Sequence, residues 1–148
     1  MPQAVVVDAI RTPLGRACAE RGCFRDERAE DLAAAVIAGI VARAGIDPAL
    51  VDDVRLGCVQ QQGEQGYDVA RIATLVAGLP VGVCGVTVNR NCGSSLQAVN
   101  DAAASIIAGH DRIVIAGGVE HMDHVPMNRG YDPSPKLLAR YGEGVMNM

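Results

Sequence analysis

The sequence predicts an α/β layered fold with a mixed, mainly parallel sheet and helical crossovers. Three observations carry that prediction. Short apolar runs alternate with helical periodicity in the order β-α-β-α-β-α-β. The last of these runs, Ile113-Val114-Ile115-Ala116, is almost wholly apolar, as expected of a strand covered on both faces. The apolar content is aliphatic, with 49% hydrophobic residues but only 3% aromatic, so Val, Ile, Leu and Ala must build the core. A chain of 148 residues fits one domain.

Val5-Val6-Val7 reads as the first strand, broken by Arg11-Thr12-Pro13-Leu14-Gly15. Residues 16–28 are polar and charged and read as a surface loop. Residues 29–44 have helical spacing, with Leu32, Val36, Ile37, Ile40 and Val41 on one face. Glu30 and Asp31 suit the first turn, Arg43 the last, and Gly45 the stop. Asp47-Pro48 is a turn, and Val54 to Val59 is the second strand. Residues 60–67, rich in Gln and Gly, form a loop. Asp68 is placed to cap a helix over 69–77, with Ile72, Leu75 and Val76 inward. Gly78 and Pro80 end it, and Val81 to Val88 is the third strand. The helix over about 92–108 would bury Leu96, Val99, Ala103, Ile106 and Ile107, and Gly109 ends it. The fourth strand is 113–116. Residues 121–148 read as loop, with a short helix at 134–141. The division is therefore a core over 1–120 and an incomplete second segment over 121–148.

Composition excludes several classes. The net charge is -4 with both signs interspersed, which gives no surface for nucleic acid. No run reaches the length of a membrane span, and no basic N-terminal region suggests a signal peptide. The five cysteines, Cys18, Cys23, Cys58, Cys84 and Cys92, are odd in number and irregularly spaced. They fit free thiols in a reducing cytoplasm. No closely spaced ligand pair suggests a metal site. Cys58 and Cys84 lie in apolar runs and read as small buried residues. No G-x-G-x-x-G or Walker pattern follows a strand.

Cys92 is the candidate nucleophile. It stands in Val88-Asn89-Arg90-Asn91-Cys92-Gly93-Ser94-Ser95-Leu96-Gln97-Ala98, where an apolar run passes into a helical pattern. A thiolate beside a helix start gains from the positive end of the macrodipole. The N–H groups of 92–94 could face negative charge developing on a carbonyl oxygen. Such a site suits acyl transfer through a thioester; a plain buried cysteine is the competing reading. His121 and His124 follow the fourth strand and could approach the same sheet edge, whereas His110 lies at the far end of the helix. Glu120 could orient a catalytic group or pair with backbone N–H groups. Gly117-Gly118 permits close backbone approach. Asn89 and Asn91 read as fixing the turn. Arg16, Arg21, Arg25 and Arg28 read as a charged loop, with a cofactor phosphate as the alternative contact.

These residues together resemble the N-terminal part of a thiolase, in particular the bacterial 3-ketoacyl-CoA thiolases of fatty-acid oxidation. The resemblance runs over essentially the whole chain. It rests on Val7-Asp8-Ala9-Ile10-Arg11-Thr12-Pro13, on Gly57-Cys58-Val59-Gln60-Gln61 with Glu64-Gln65-Gly66, on the Cys92 segment, and on Gly117-Gly118-Val119-Glu120-His121-Met122 with Val125-Pro126-Met127. Four motifs in order are far more specific than a lone cysteine. Many thiolases read Ser-Ser-Gly where this chain has Gly93-Ser94-Ser95, a form that the fatty-acid-oxidation branch tolerates.

The resemblance implies a thiolase-like fold, of which this chain is a truncated N-terminal half. It makes Cys92 the acyl-accepting nucleophile toward a 3-ketoacyl-CoA, with coenzyme A as co-substrate and no permanently bound cofactor. It implies a homodimer or tetramer for the full-length protein, in contact with a subunit of a β-oxidation multienzyme assembly. In such proteins a second half supplies the activating histidine, a second cysteine, and the Asn and His that hold the oxyanion. The chain alone is therefore expected to lack full activity, and His121 is not given the missing role. The alternatives are an inactive fragment, a half-fold that docks a partner, and a condensing enzyme with a malonyl-type donor. The glycine-rich segment at 117–122 argues against the last.

Overall fold

The structure, a computed structural model, describes residues 3–142 and Gly144. Three strands form the sheet: β1 (Asp53–Gly57), β2 (Cys84–Val88) and β3 (Val114–Gly118). Their spatial order is β2-β1-β3 and both pairings are parallel. The helices are α1 (Ala29–Ala44), α2 (Val69–Val76), α3 (Ser94–Ala108) and α4 (Pro135–Tyr141). Short 3-10 turns cover Pro48–Leu50 and Gly63–Gln65. The α/β layering and the three later strands match the sequence reading.

Alternation along β1 defines the two faces. Val54 and Leu56 point into a core shared with Ala33 and Ile37 of α1 and Ala70 and Ala73 of α2. On the other face Arg55 joins Asp53 and Asp111, and Gly57 meets the start of α3. The α1–α2 layer thus lies on one side of the sheet and α3 on the other.

Helix ends follow their local chemistry. Gly45 and Gly109 close α1 and α3 in the left-handed conformation, φ +64 and +80. Asp68 caps α2 as read, accepting the Arg71 N–H. It also accepts the Thr87 hydroxyl at 2.6 Å, which ties α2 to β2.

Several expectations need correction. Val5, Val6 and Val7 form no strand; they are 73–83% exposed. A strand exists only through pairing, and neither sheet edge is paired with this segment. It is held to α1 instead, by the Arg43–Asp8 ion pair and the Arg43 bond to the Ala9 carbonyl. The buried faces of α2 and α3 are also not those of the large residues. α2 buries Val69, Ala70, Ala73 and Thr74 and leaves Leu75 and Val76 exposed. α3 buries Ser94, Ala98 and Ala102 and leaves Leu96, Val99 and Ile107 exposed. Small residues let these helices approach the sheet closely: a β-carbon on Gly85 would come within 2.7 Å of the Arg71 backbone. On α1, Ile37 and Val41 are buried as expected, but Ala33 and Ala34 replace Leu32, Val36 and Ile40 in the closest contact. β3 is an edge strand and only half-buried, not covered on both faces. Cys84 is exposed on the edge strand β2, whereas Cys58 is buried as read.

Candidate active site

Three strand ends meet at one edge of the sheet. Val59 and Gln60 follow β1, Asn89 to Gly93 follow β2, and Val119 and Glu120 follow β3. In parallel α/β sheets this carboxyl-end edge is where ligands meet the chain. Cys92 stands there on the β2–α3 turn, and it is exposed. The buried-cysteine reading therefore does not hold for it.

The turn is built by side chains. Asn91 is left-handed, φ +49, a conformation that Asn tolerates better than most residues. Its N–H donates to Asn89 Oδ1 at 2.9 Å, and Asn89 Nδ2 donates to the Val59 carbonyl at 2.9 Å. Ser94 closes the turn from the helix side. Its buried hydroxyl donates to the Asn91 carbonyl at 2.5 Å and accepts the Arg90 N–H at 2.8 Å. The structure-fixing reading of Asn89 and Asn91 is what the geometry shows. Ser94 was visible in the sequence only as part of a motif, although a serine hydroxyl bonding the carbonyl three residues back is a recurrent local pattern.

Two of the three N–H groups expected as oxyanion donors are otherwise engaged. The N–H groups of Gly93 and Ser94 donate to the Arg90 and Asn91 carbonyls at 3.1 and 3.0 Å. They hold the turn and do not face outward.

Glu120 pairs with backbone N–H groups, the second of its two sequence readings. Its carboxylate accepts the Val59 N–H at 2.8 Å, the Gln60 N–H at 3.2 Å and the Gln65 amide at 2.9 Å. Gln65, fully buried, also donates to the Gln60 carbonyl and accepts the His121 N–H. The sequence carried no sign of this role, because a buried glutamine in a Gln-rich loop has no distinguishing pattern.

His121 and His124 stack on each other, ring centroids 4.0 Å apart. Their ring nitrogens bind the Phe24 and Arg25 carbonyls, and His124 also meets Glu64 at 3.0 Å. These bonds fasten the 16–28 loop and none goes to Cys92. The Arg25 carbonyl and Glu64 both favour the charged imidazole, which raises the His124 pKa. Burial pushes the Glu64 pKa up, but the Ala29 N–H, His124 and Arg28 outweigh it and hold it low. Burial, with the nearby Glu120 charge, pushes the Cys58 thiol up to about 12, which makes it a poor nucleophile.

Of the loop arginines, Arg28 pairs with Glu30 and Glu64, and Arg25 with Asp26. His110 follows the far end of α3 from Cys92. A recess of about 310 Å³ lies there, lined by Asp52, Val83, His110 and Asp111 among others, and Cys92 is not part of its wall. Among the described residues no group of three His, Cys, Asp or Glu side chains is placed to hold a metal ion. No helix among them is long and apolar enough to cross a membrane.

Comparison with known proteins gives a consistent answer. The family profile "Thiolase, N-terminal domain" matches residues 4–147. A 3-ketoacyl-CoA thiolase of Vibrio cholerae is 52% identical over 138 residues, covering 93% of this chain and 35% of that protein. One from Pseudoalteromonas translucida is 49% identical over 149 residues, covering 100% of this chain and 38% of its own length. The crystal structure of the Bacillus anthracis acetyl-CoA acetyltransferase superposes with a TM-score of 0.68 at 36% identity, over 82% of this chain and 29% of that one. The chain thus spans little more than a third of the length of these curated relatives.

Proposed function

The chain belongs to the thiolase family, and from that premise we propose that it is the part of a 3-ketoacyl-CoA thiolase that carries the acylated cysteine, Cys92. Family membership makes it part of a CoA acyltransferase. In this reading residues 1–120 are the N-terminal core and 121–148 begin the loop subdomain. The single observation that supports the assignment is the exposed thiol of Cys92 on a braced turn at the carboxyl-end edge of a parallel sheet.

The steps are as follows. The Cys92 thiolate attacks the 3-keto carbon of a 3-ketoacyl-CoA, forming the C–S bond. The C2–C3 bond then breaks, and its electron pair takes a proton to give acetyl-CoA. The shortened acyl group remains as a Cys92 thioester. Free coenzyme A attacks that thioester, releases the shortened acyl-CoA and returns the thiol. The proton transfers need a base and an acid; among the described residues His121 and His124 have ring nitrogens bound to loop carbonyls and none bound to Cys92. Those groups belong, in this proposal, to a second half of the kind that its longer relatives possess, and assembly as a homodimer or tetramer belongs to the same full-length protein.

A chimera tests this. Residues 4–147 replace the matching part of the Vibrio cholerae relative, and acetoacetyl-CoA cleavage is followed by absorbance. We expect turnover that depends on added CoA and vanishes with Cys92→Ser. The 148-residue chain alone should give none. Turnover that survives Cys92→Ser would reject the assignment. A second reading, a catalytically inactive half-fold that docks a partner, draws on the exposed Leu96 and Ile107 of α3. An active chimera decides against it.

A further inference from the structure

We propose that Asn89 is a positioning residue for Cys92: its carboxamide holds the left-handed turn at Asn91 and so fixes where the thiol is presented. The inference rests on the reading of Cys92 as the nucleophile. Asn89 has no bond to Cys92 and is exposed, yet both ends of its amide are engaged. Nδ2 donates to the Val59 carbonyl, and Oδ1 accepts the Asn91 N–H, each at 2.9 Å.

The anchor is firm because the backbone of Val59 is held at both its carbonyl and its N–H. Its carbonyl accepts from Asn89, and its N–H donates to Glu120 at 2.8 Å. The end of β3 therefore braces the end of β1, which braces the residues after β2. An asparagine tolerates φ +49 better than most residues but still prefers negative φ, so the bonds around it decide which conformation it keeps. Asn89 supplies that constraint from the strand side and Ser94 from the helix side. Without Asn89, Asn91 is free to return to negative φ. The next residue in the chain is Cys92, so its side chain would be re-aimed.

The test reads Cys92 directly on the 148-residue chain. Iodoacetamide alkylation rates are measured by peptide mass spectrometry, with exposed Cys84 on β2 as internal reference. Asn89→Ala should lower the Cys92 rate relative to Cys84 by about fivefold, the scale of one lost hydrogen bond. Adding Asn91→Gly to that variant should restore the rate, because glycine takes positive φ unaided. A purely structural asparagine would not be rescued in this way. An unchanged ratio in Asn89→Ala, or a loss that Asn91→Gly fails to restore, overturns the proposal. If Asn89→Ala does not fold, the double variant is compared with Asn91→Gly alone. Equal Cys92 rates support the proposal, and a slower double variant overturns it. The chimera separates this from the functional reading. Cleavage that survives Cys92→Ser rejects the nucleophile while leaving the alkylation result to judge Asn89.

Discussion

The Ser95 side chain of α3 occupies the space that a β-carbon on Gly118 of β3 would need. The same β-carbon would lie 2.7 Å from the Gly57 carbonyl oxygen, and one on Gly57 would run into the backbone of Ser94 and Ser95. Gly57 and Gly118 are paired in register on neighbouring strands. They make a bare floor on which the first turn of α3 rests. The Cys92 turn reaches the sheet edge because these two side chains are absent.

Gly118→Ala and Gly57→Ala should each destabilise the chain by about 1–3 kcal/mol, the usual cost of overpacking. Gly57→Ala should be the worse, since its three nearest neighbours are all backbone atoms, whereas the nearest to Gly118 is the Ser95 hydroxyl, which can rotate away. Gly82→Ala is the control, because nothing lies within 4 Å of its β-carbon position. Urea midpoints of the three variants check this, and equal midpoints would show that α3 does not rest on the glycine floor.

Thiol reactivity should divide by burial and charge. Cys58 is buried, with its thiol pushed up to about 12 by burial and then by Glu120, so it should resist iodoacetamide at pH 7.5 in the folded chain. Cys23, Cys84 and Cys92 are exposed and should be modified. Peptide mapping after partial labelling reads the order directly. Labelling of Cys58 ahead of Cys84 would contradict the packing of β1.

What the sequence could and could not reveal follows from the range of each interaction. α1, the cap of Asp68 and the strand-to-helix position of Cys92 were legible because propensity, capping and periodicity are local. The buried faces of α2 and α3 were not. Large apolar residues look like core, but the sheet admits these helices only where Ala70, Ala73, Ala98 and Ala102 allow close approach. Val5-Val6-Val7 has strand propensity, yet propensity supplies no pairing partner. At the site, the place of Cys92 on the strand-to-helix turn was legible from its motif. The braces from Glu120 to Val59 and from Asn89 to Val59 span 61 and 30 residues, and no local pattern encodes them.

The His124–Glu64 contact should make stability depend on pH in a definite window. His124 has a raised pKa, so its contribution is complete below the ordinary value of 6.5 and is lost as pH rises through the folded value. Glu64 has a lowered pKa, so its contribution is complete above the ordinary value of 4.5 and is lost as pH falls through its folded value. Both are fully present between 4.5 and 6.5. Urea midpoints measured from pH 5 to pH 9 should fall on the alkaline side, and His124→Ala should flatten that limb. An identical alkaline slope in His124→Ala would assign the dependence to other groups.

The inverted face of α2 gives the most direct check on how the layer packs. Ala73 is fully buried between α1 and the sheet, whereas Val76, at the end of the helix, is 53% exposed. Enlarging the small residue should therefore hurt more than charging the large one. Ala73→Leu should cost about 1–3 kcal/mol through overpacking. Val76→Lys should change stability by no more than about 0.5 kcal/mol, as surface substitutions do, and a cation there suits the negative end of the helix dipole. Thermal or urea unfolding of the two variants decides the matter. A larger loss from Val76→Lys than from Ala73→Leu would restore the face with Ile72, Leu75 and Val76 inward and reject the small-residue packing.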